Sequence, residues 1–212
     1  FEIFSKSAIA KSANDDTWVC HVVGTLGRSG GLSALSQKRM DAEVSWPQNA
    51  PRMDLETFNA RFSSRGVAYG PAFQAIVELG LDASDSSVAV ARIELPKQAL
   101  AARDANAYGI HPVLLDASLR VQEALFPNSA DEEIFLPFAI GALRCTGIPD
   151  GPLWVKAEGT EHERTRVINI GLFDQDGHCV AQITDFTLRA VSVLGLRRAS
   201  SAKQSPKEVL SE

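Results

Sequence analysis

Residues 111–125 read HPVLLDASLRVQEAL, a stretch without glycine whose only proline is its second residue. Pro112 suits the first position of a helix, and Pro127 prevents the helix from continuing. The apolar residues are spread around most of the helical circumference instead of forming one stripe, as expected of a helix that is covered on most sides. The sequence therefore predicts a central, enclosed helix over residues 113–125.

Short runs of β-branched and aromatic residues lie on both sides of this helix, separated by turn-forming residues. Upstream, residues 18–26 predict a strand, and residues 75–81 and 87–95 predict a hairpin across a turn-rich segment. Asp54 is the predicted N-cap of a short helix that ends near Ser64. Downstream, four further runs with a hairpin turn at Asp176-Gly177 predict a β-meander: residues 135–145, 153–158, 166–173 and 179–191.

In the last of these runs, residues 179–191, the apolar residues move from one set of alternate positions to the other. Its apolar positions shift from Ala181 and Ile183 to Phe186 and Leu188, which would turn side chains to the wrong face unless one extra residue is absorbed. The sequence therefore predicts a β-bulge near Thr184-Asp185. One enclosed helix wrapped by an antiparallel sheet of about five to seven strands is the pattern of a hot-dog fold, an α+β architecture.

The composition is that of an ordinary globular chain of 212 residues, 45% of them hydrophobic and 22% charged. A net charge of −5 has the wrong sign for neutralising phosphates, so nucleic acid is not an expected partner. No window reaches the roughly eighteen apolar residues that a membrane span requires, and no leader pattern is visible. We therefore expect a soluble, cytoplasmic protein without a membrane partner.

The sequence lacks the usual signals for a bound cofactor or metal. Cys20, Cys145 and Cys179 lie far apart, without the paired spacing of a zinc site or a redox dithiol, and we expect all three to be buried thiols. Neither a glycine-rich phosphate loop nor a nucleophile elbow is present. We therefore expect neither a cofactor nor a metal.

Three segments, taken in this order and spacing, carry a family resemblance: Tyr69-Gly70-Pro71-Ala72-Phe73-Gln74, His111-Pro112-Val113-Leu114-Leu115-Asp116-Ala117 and Leu136-Pro137-Phe138. Together they resemble the YGPxF, HPxLLDA and LPF elements of the dehydratase domains of modular polyketide synthases. That family has a double hot-dog fold, in which two similar halves pack side by side and form the active site between them. The resemblance implies that residues 1–196 are the second half of such a domain, with the first half absent. A Ser-rich tail at residues 197–212 is expected to be a flexible linker.

The resemblance also implies a reaction, the loss of water from a 3-hydroxyacyl chain that an acyl carrier protein holds as a thioester on its phosphopantetheine. In the family, a histidine of the first half takes the α-proton, and an aspartate of the central helix protonates the departing hydroxyl. Asp116 matches that aspartate. A carboxyl on a mainly apolar helix is desolvated, which raises its pKa and suits it to general-acid catalysis. The implied partners are the carrier protein, the first half of the same domain and, in the parent synthase, a second copy in a homodimer.

The two other segments supply the remaining site residues that the resemblance implies. Tyr69 is expected to hydrogen-bond the substrate hydroxyl or Asp116, and the alternative is that the segment only shapes a turn. The positions expected to bind substrate are Gly70, Pro71, Phe73, Arg120, Leu136, Pro137 and Phe138. For the last three, which would line the passage of the acyl chain or pantetheine, plain core packing is the alternative.

The histidines depart from the family pattern, because none of the four is followed by the H-x-x-x-G-x-x-x-x-P spacing of the family's base. We expect His21 to be satisfied within a strand, His111 to cap the central helix, and His162 and His178 to be solvated. The base is therefore missing from this chain, and the resemblance places it in the first half.

Arg120 is the second departure, since the family usually has Gln or His four residues after the aspartate. The spacing places Arg120 on the same helix face as Asp116. A guanidinium beside Asp116 would lower its pKa and weaken the acid. The alternative is that Arg120 points to solvent or pairs elsewhere.

Two functional hypotheses of different classes follow. The first is part of a dehydratase that does not turn over alone, because an acid without a base loses the paired proton transfers of elimination. The second is a non-catalytic, dehydratase-like scaffold that docks carrier proteins, with Arg120 as a mark of lost chemistry. A homologue that shifts a double bond or forms a pyran ring is a further alternative, and the retained Asp116 argues against the double-bond shift.

Overall fold

The structure is a computed structural model that describes residues 1–6, 18–27, 51–82, 85–100, 108–128, 133–147, 151–192 and 194. It divides into two units, residues 1–31 and residues 32–212. The predicted linker at residues 197–212 lies outside the described residues. None of the helices in the described part combines the length and apolar character that crossing a bilayer requires.

The first unit contains a two-stranded antiparallel sheet. Strand β1 (Glu2–Lys6) pairs with β2 (Trp18–Val23), so the predicted strand at residues 18–26 is present but ends three residues earlier. His21 is satisfied within this sheet as expected, because its Nε2 lies 2.6 Å from the Oγ of Ser5. Cys20 is exposed here, so the prediction that it is buried was wrong. Both faces of this short sheet are solvent-exposed, and the alternation of the sequence cannot distinguish such a strand from a covered one.

The second unit contains, among its described residues, a seven-stranded antiparallel sheet in the order β3-β4-β7-β8-β9-β5, with β6 also paired to β9. The α-helices in the described part of this unit are α1 (Leu55–Ser64), α2 (Lys97–Leu100) and α3 (Pro112–Arg120), and residues 71–73 and 121–125 form 3-10 turns. The strands are β3 (Ile76–Leu81), β4 (Val88–Ile93), β5 (Glu133–Ala139), β6 (Ala142–Cys145), β7 (Leu153–His162), β8 (Thr165–Phe173) and β9 (Cys179–Ser192).

Helix α1 begins and ends where the sequence predicts. The Oδ2 of Asp54 accepts a hydrogen bond from the Thr57 backbone N–H at 2.9 Å, which satisfies one of the donors left open at the helix start. Phe58 and Phe62, four residues apart, bury the inner face of the helix. Arg65 forms the C-cap, and the next residue, Gly66, adopts a positive φ of 87° that favours glycine and turns the chain away.

The central helix forms where it is predicted, but its last part is wound more tightly. The α-helical part covers Pro112–Arg120, and residues 121–125 continue it as a 3-10 turn before Pro127. The side chain of His111 caps the helix start, since its Nδ1 accepts from the Val113 N–H at 3.2 Å, which confirms its expected role. Helix α3 contacts β4 and β8, and the 3-10 turn contacts β3, β4 and β7, so the core lies between the helix and one face of the sheet. This arrangement confirms the hot-dog prediction.

The predicted β-bulge lies in β9 at Thr184 and Asp185. Ile168 of β8 pairs with Phe186, whereas Ile170 pairs with Ile183, so β9 carries one more residue than β8 between these pairs. Asp185 adopts a positive φ of 53°, and its backbone N–H donates to the side-chain oxygen of Asn169 at 3.1 Å. The bulge keeps the apolar residues before and after it on the core face.

The same bulge divides the predicted run 135–145 into two strands. Strand β5 ends at Ala139 opposite Thr187, and β6 begins at Ala142 opposite Thr184. Between them the Gly141 N–H donates to the carbonyl oxygens of the two bulge residues at 3.1 and 3.3 Å. The bulge thus coincides with a break in the strands on this side of β9, whereas β8 pairs with β9 across the bulge as one strand, and this long-range pairing is invisible in the local sequence. Of the two other cysteines, Cys179 is buried as expected, whereas Cys145 is only half-buried, so the prediction that Cys145 is buried was wrong.

Gly159→Ala should destabilise the fold, because a Cβ at this position in β7 would lie 2.4 Å from the carbonyl oxygen of Val167 and 2.6 Å from the Cδ1 of Ile168. We expect a loss of about 1–3 kcal/mol in the free energy of unfolding, measured by urea denaturation. Gly109→Ala is the matched control, since nothing lies within 4 Å of a Cβ built there. Equal effects of the two substitutions would contradict the close approach of β7 and β8.

Candidate active site

Asp116 and Arg120 form an ion pair on one face of α3. The Nε of Arg120 lies 2.9 Å from the Oδ2 of Asp116, and the side chains are 5% and 32% exposed respectively. Of the two arrangements left open by the sequence, Arg120 therefore adopts the one that pairs with Asp116. The carboxyl of Asp116 is neither fully enclosed nor turned entirely to bulk water, so a reacting group can approach it.

Arg120 also contacts the segment that contains the first motif, Tyr69–Gln74. Its Nη2 donates to the carbonyl oxygen of Phe73 at 2.6 Å, and its guanidinium carbon lies 4.0 Å from the centroid of the Tyr69 ring. A planar guanidinium can donate in two directions and stack on an aromatic ring at the same time. Arg120 therefore connects the helix that carries Asp116 to the segment that carries Tyr69. Sequence reasoning did not anticipate this use of the Phe73 carbonyl, since a backbone acceptor leaves no signal in the residue type.

Burial and the neighbouring cation act in opposite directions on Asp116. Desolvation raises the pKa of Asp116 above its ordinary value of 3.8, while the charge of Arg120 and its hydrogen bond lower the pKa. Desolvation is the larger effect, and the pKa of Asp116 is raised overall. Arg120 therefore lowers the pKa of Asp116, as expected of a paired guanidinium, but the desolvation of the carboxyl raises this pKa more strongly.

Tyr69 lies beside this pair and is half-buried. Desolvation raises the pKa of Tyr69, the negative charge of Asp116 raises it further, and the charge of Arg120 lowers it. The hydroxyl therefore keeps its proton at neutral pH and remains a hydrogen-bond donor. The ring also packs edge-on against Phe62 of α1, with the centroids 5.4 Å apart, which fixes the direction of the side chain.

The segment after Tyr69 is a short, partly exposed turn. Gly70 is extended and precedes the 3-10 turn at Pro71–Phe73, which closes with a 2.9 Å hydrogen bond from the Phe73 N–H to the Gly70 carbonyl. The side chain of Phe73 is 41% exposed, although its carbonyl oxygen is engaged by Arg120.

The third motif lies on β5, next to β9. Leu136 is half-buried and Pro137 is exposed, while Phe138 is 59% exposed and packs 3.6 Å from the guanidinium carbon of Arg189. The core alternative therefore fails for Pro137 and Phe138. Within the described residues, no hydrogen bond, ion pair or ring contact joins this segment to Asp116, so the contacts of the site join Tyr69, Phe73, Asp116 and Arg120.

The two remaining histidines are exposed, as expected. His178 belongs to a group of three side chains at the β8–β9 turn, with Asp174 and Asp176, whose possible ligand atoms lie within 4.8 Å of one another. The Oδ1 of Asp174 accepts hydrogen bonds from the backbone N–H groups of Asp176 and His178 at 2.9 and 2.8 Å. Through these two hydrogen bonds, the side chain of Asp174 stabilises the β8–β9 turn.

Comparisons with known proteins bear on the sequence and the fold together. Residues 38–198 match the family model described as the polyketide synthase dehydratase N-terminal domain. The chain is 28% identical over 186 residues to the spectinabilin polyketide synthase protein NorA of Streptomyces orinoci, covering 88% of this chain and 9% of that protein. It is 27% identical over 217 residues to Pks1 of Mycobacterium tuberculosis, covering 96% of this chain and 12% of that protein, which is named as an inactive phenolphthiocerol synthesis polyketide synthase.

Solved structures show the same fold. The dehydratase domain from the CurF module of the curacin polyketide synthase superposes with a TM-score of 0.66 at 24% identity, covering 90% of this chain and 63% of that domain. The CurH dehydratase domain superposes with the same TM-score of 0.66 at 21% identity, covering 91% and 65%. The chain therefore spans less than two thirds of these domains and about a tenth of the two synthases.

Arg120→Gln should raise the pKa of Asp116 further, because it removes the charge and the ionic hydrogen bond that lower this pKa while the burial remains. The carboxyl carbon shift of Asp116, followed by NMR from about pH 3 to about pH 8, gives the pKa directly. Arg164→Gln, which removes a mostly exposed arginine paired with Glu133, is the control and should leave the value unchanged. An unchanged or lower pKa of Asp116 in the Arg120→Gln variant would contradict the inference that Arg120 lowers this pKa.

Proposed function

The chain belongs to the polyketide synthase dehydratase family, and from this premise we propose that it forms part of a domain that removes water from a 3-hydroxyacyl thioester held on an acyl carrier protein. The observation that carries the proposal is Asp116, a partly exposed carboxyl of raised pKa on the enclosed helix. A raised pKa favours the protonated form that a general acid needs near neutral pH.

In the proposed reaction, Asp116 gives its proton to the hydroxyl at C3 as the C–O bond breaks, and the hydroxyl leaves as water. A base removes the α-proton, and the electron pair of that C–H bond forms the new double bond. Tyr69, whose hydroxyl keeps its proton, donates a hydrogen bond to the same substrate oxygen. Arg120 stabilises the carboxylate that remains after Asp116 has given up its proton.

The base of the proposed reaction is a histidine from polypeptide upstream of Phe1, in the first hot-dog half of the domain. The chain spans 63% of the CurF dehydratase domain, which leaves room for such a half in a complete domain. We further propose that Gly70, Pro71, Phe73, Leu136, Pro137 and Phe138 line the passage of the acyl chain and pantetheine. The exposed aromatic rings of Phe73 and Phe138 suit an apolar chain.

The relatives are large, multidomain polyketide synthases, and the proposed setting of the domain follows from theirs. The substrate arrives on the phosphopantetheine of an acyl carrier protein, and acid–base elimination needs no further cofactor or metal. The parent synthase is proposed to act in the cytoplasm as a homodimer.

A second candidate is a non-catalytic module that docks carrier proteins. The observation that favours it is the buried arginine at the position where the family usually has Gln or His, since a cation paired with Asp116 opposes the protonated form of the acid. The name of one relative, which describes an inactive synthase, supports the same alternative.

Asp116→Asn should abolish dehydration of a 3-hydroxyacyl thioester by the protein extended upstream of Phe1. The expected loss in kcat is about 10²–10⁴-fold, because the amide cannot donate the catalytic proton. Product is measured as the mass loss of one water from the carrier-bound substrate. The isolated 212-residue chain should be inactive, and turnover by it alone would refute the two-half mechanism.

Arg120→Gln in the extended protein separates the two candidates. The dehydratase proposal expects the protein with Arg120 to be active and the Gln variant to change kcat by about tenfold or less, because Asp116 remains in place as the acid in both proteins. The scaffold alternative expects the protein with Arg120 to be inert. Activity that appears only in the Gln variant would support the scaffold and refute the dehydratase proposal for the natural sequence.

A further inference from the structure

Below the candidate site, four polar side chains form a buried ionic cluster that the proposed mechanism does not use. Its members are Arg65, Gln122, Glu123 and Arg166, which are 5%, 2%, 5% and 0% exposed. Charged residues are almost never buried to this extent unless they are paired, so the pairing within the cluster must be specific. Nothing in the local sequence marks these residues, because their partners lie 43 to 58 residues away along the chain.

Glu123 is the centre of this cluster. Its Oε1 lies 2.8 Å from the Nη1 of Arg166, and its Oε2 lies 3.5 Å from the Nη1 of Arg65. The side-chain amide of Gln122 donates to the same Oε1 at 3.0 Å and accepts from Arg166 at 3.3 Å. One carboxylate therefore holds two arginines that come from different parts of the chain.

Arg166 extends the cluster into the sheet. Its Nε lies 2.7 Å from the Oε2 of Glu161, across the β7–β8 pair. Its guanidinium carbon lies 3.6 Å from the centroid of Phe135 and 4.2 Å from that of Phe126. A guanidinium is suited to this position because it donates in its plane and stacks on aromatic rings with its faces.

Each segment that carries a predicted site residue meets this cluster. Glu123 lies in the 3-10 turn that directly continues α3, seven residues after Asp116. Arg65 is the C-cap of α1, four residues before Tyr69. Phe135 directly precedes Leu136 on β5. The cluster is thus a common anchor for the helix, the turn segment and the strand.

A purely stabilising role does not require charges here. Buried ion pairs barely repay their desolvation, and well-packed apolar side chains of similar volume are often equally stabilising. What charges add is direction, because each hydrogen bond has a defined geometry that an apolar contact lacks. A directional anchor is useful where the mutual placement of several segments has to be fixed.

We propose that Glu123 is a positioning residue, which sets the placement of Asp116, Tyr69 and the start of the Leu136–Phe138 segment relative to one another through Arg65 and Arg166. Residues 117–122 connect Asp116 to Glu123 within helix α3 and the 3-10 turn, and they contain neither glycine nor proline. A displacement of Glu123 is therefore transmitted to Asp116. The part of this inference that concerns turnover rests on the proposed dehydratase function. The part that concerns the coupling of the three segments does not.

Glu123→Asp tests the proposal, because it keeps the charge and withdraws the carboxylate by one methylene. In the protein extended upstream of Phe1, kcat for dehydration should fall by roughly ten- to a hundredfold with KM changed by less than about threefold, because misplaced acid and hydroxyl groups slow the chemical step. Glu133→Asp makes the same chemical change at an ion pair whose Arg164 is mostly exposed, and it should leave kcat unchanged. A folded Glu123 variant with unaltered kcat would overturn the positioning role.

Hydrogen exchange on the same variants decides the coupling without reference to activity. Amides of residues 67–73, 113–125 and 134–138 should exchange faster together in the Glu123 variant, while those of β6, which pairs with β9, should not change. Faster exchange confined to residues 121–125 would overturn the proposal, even if the natural protein shows no dehydratase activity. If the Glu123 variant does not fold, Arg65→Lys is subjected to the same two measurements with the same outcomes, because its shorter side chain lengthens the ion pair between residue 65 and Glu123, which is already the longest of the cluster.

Discussion

A charge on a covered helix has to be compensated, and this requirement governs α3 and the turn that continues it. Asp116, Arg120 and Glu123 lie on an element whose other side chains largely fill the core. Leaving any of them without a partner would cost several kcal/mol, so each must find its counter-charge or acceptor within the protein. The neighbours of the helix are placed accordingly, and both the candidate site and the buried ionic cluster result from this requirement.

The compensation is complete at Arg120 and Glu123 but incomplete at Asp116. Arg120 is buried between the Asp116 carboxylate, the Phe73 carbonyl and the Tyr69 ring, and each of these contacts satisfies part of its charge. Asp116 has one cationic partner and remains partly exposed. The desolvation of the buried part of this side chain outweighs the effect of its single cation and raises the pKa of Asp116. Helix α3 thus carries Arg120, which connects it to the Tyr69–Phe73 segment, and Asp116, whose pKa is raised.

Much of the local structure could be predicted because it depends on neighbours in sequence. The N-cap at Asp54, the cap at His111 and the bulge at Thr184-Asp185 all follow from residue types within a few positions. The choice of partner for Arg120 could be narrowed by helical spacing but not decided, because its acceptor at Phe73 lies 47 residues away. The exposure of Cys20 and the interruption between β5 and β6 were missed for a similar reason, since burial and strand pairing depend on distant segments.

The hot-dog fold, the position of its central helix, the family of the protein and the candidate acid Asp116 could all be predicted from the order of the amino acids, because periodicity, capping and three spaced motifs are local properties of a chain. The folded arrangement was needed to establish that Arg120 pairs with Asp116, that desolvation outweighs this cation, and that Glu123 joins two arginines. These outcomes depend on competing burial and Coulomb energies, which are set by distances between segments that are far apart in the sequence.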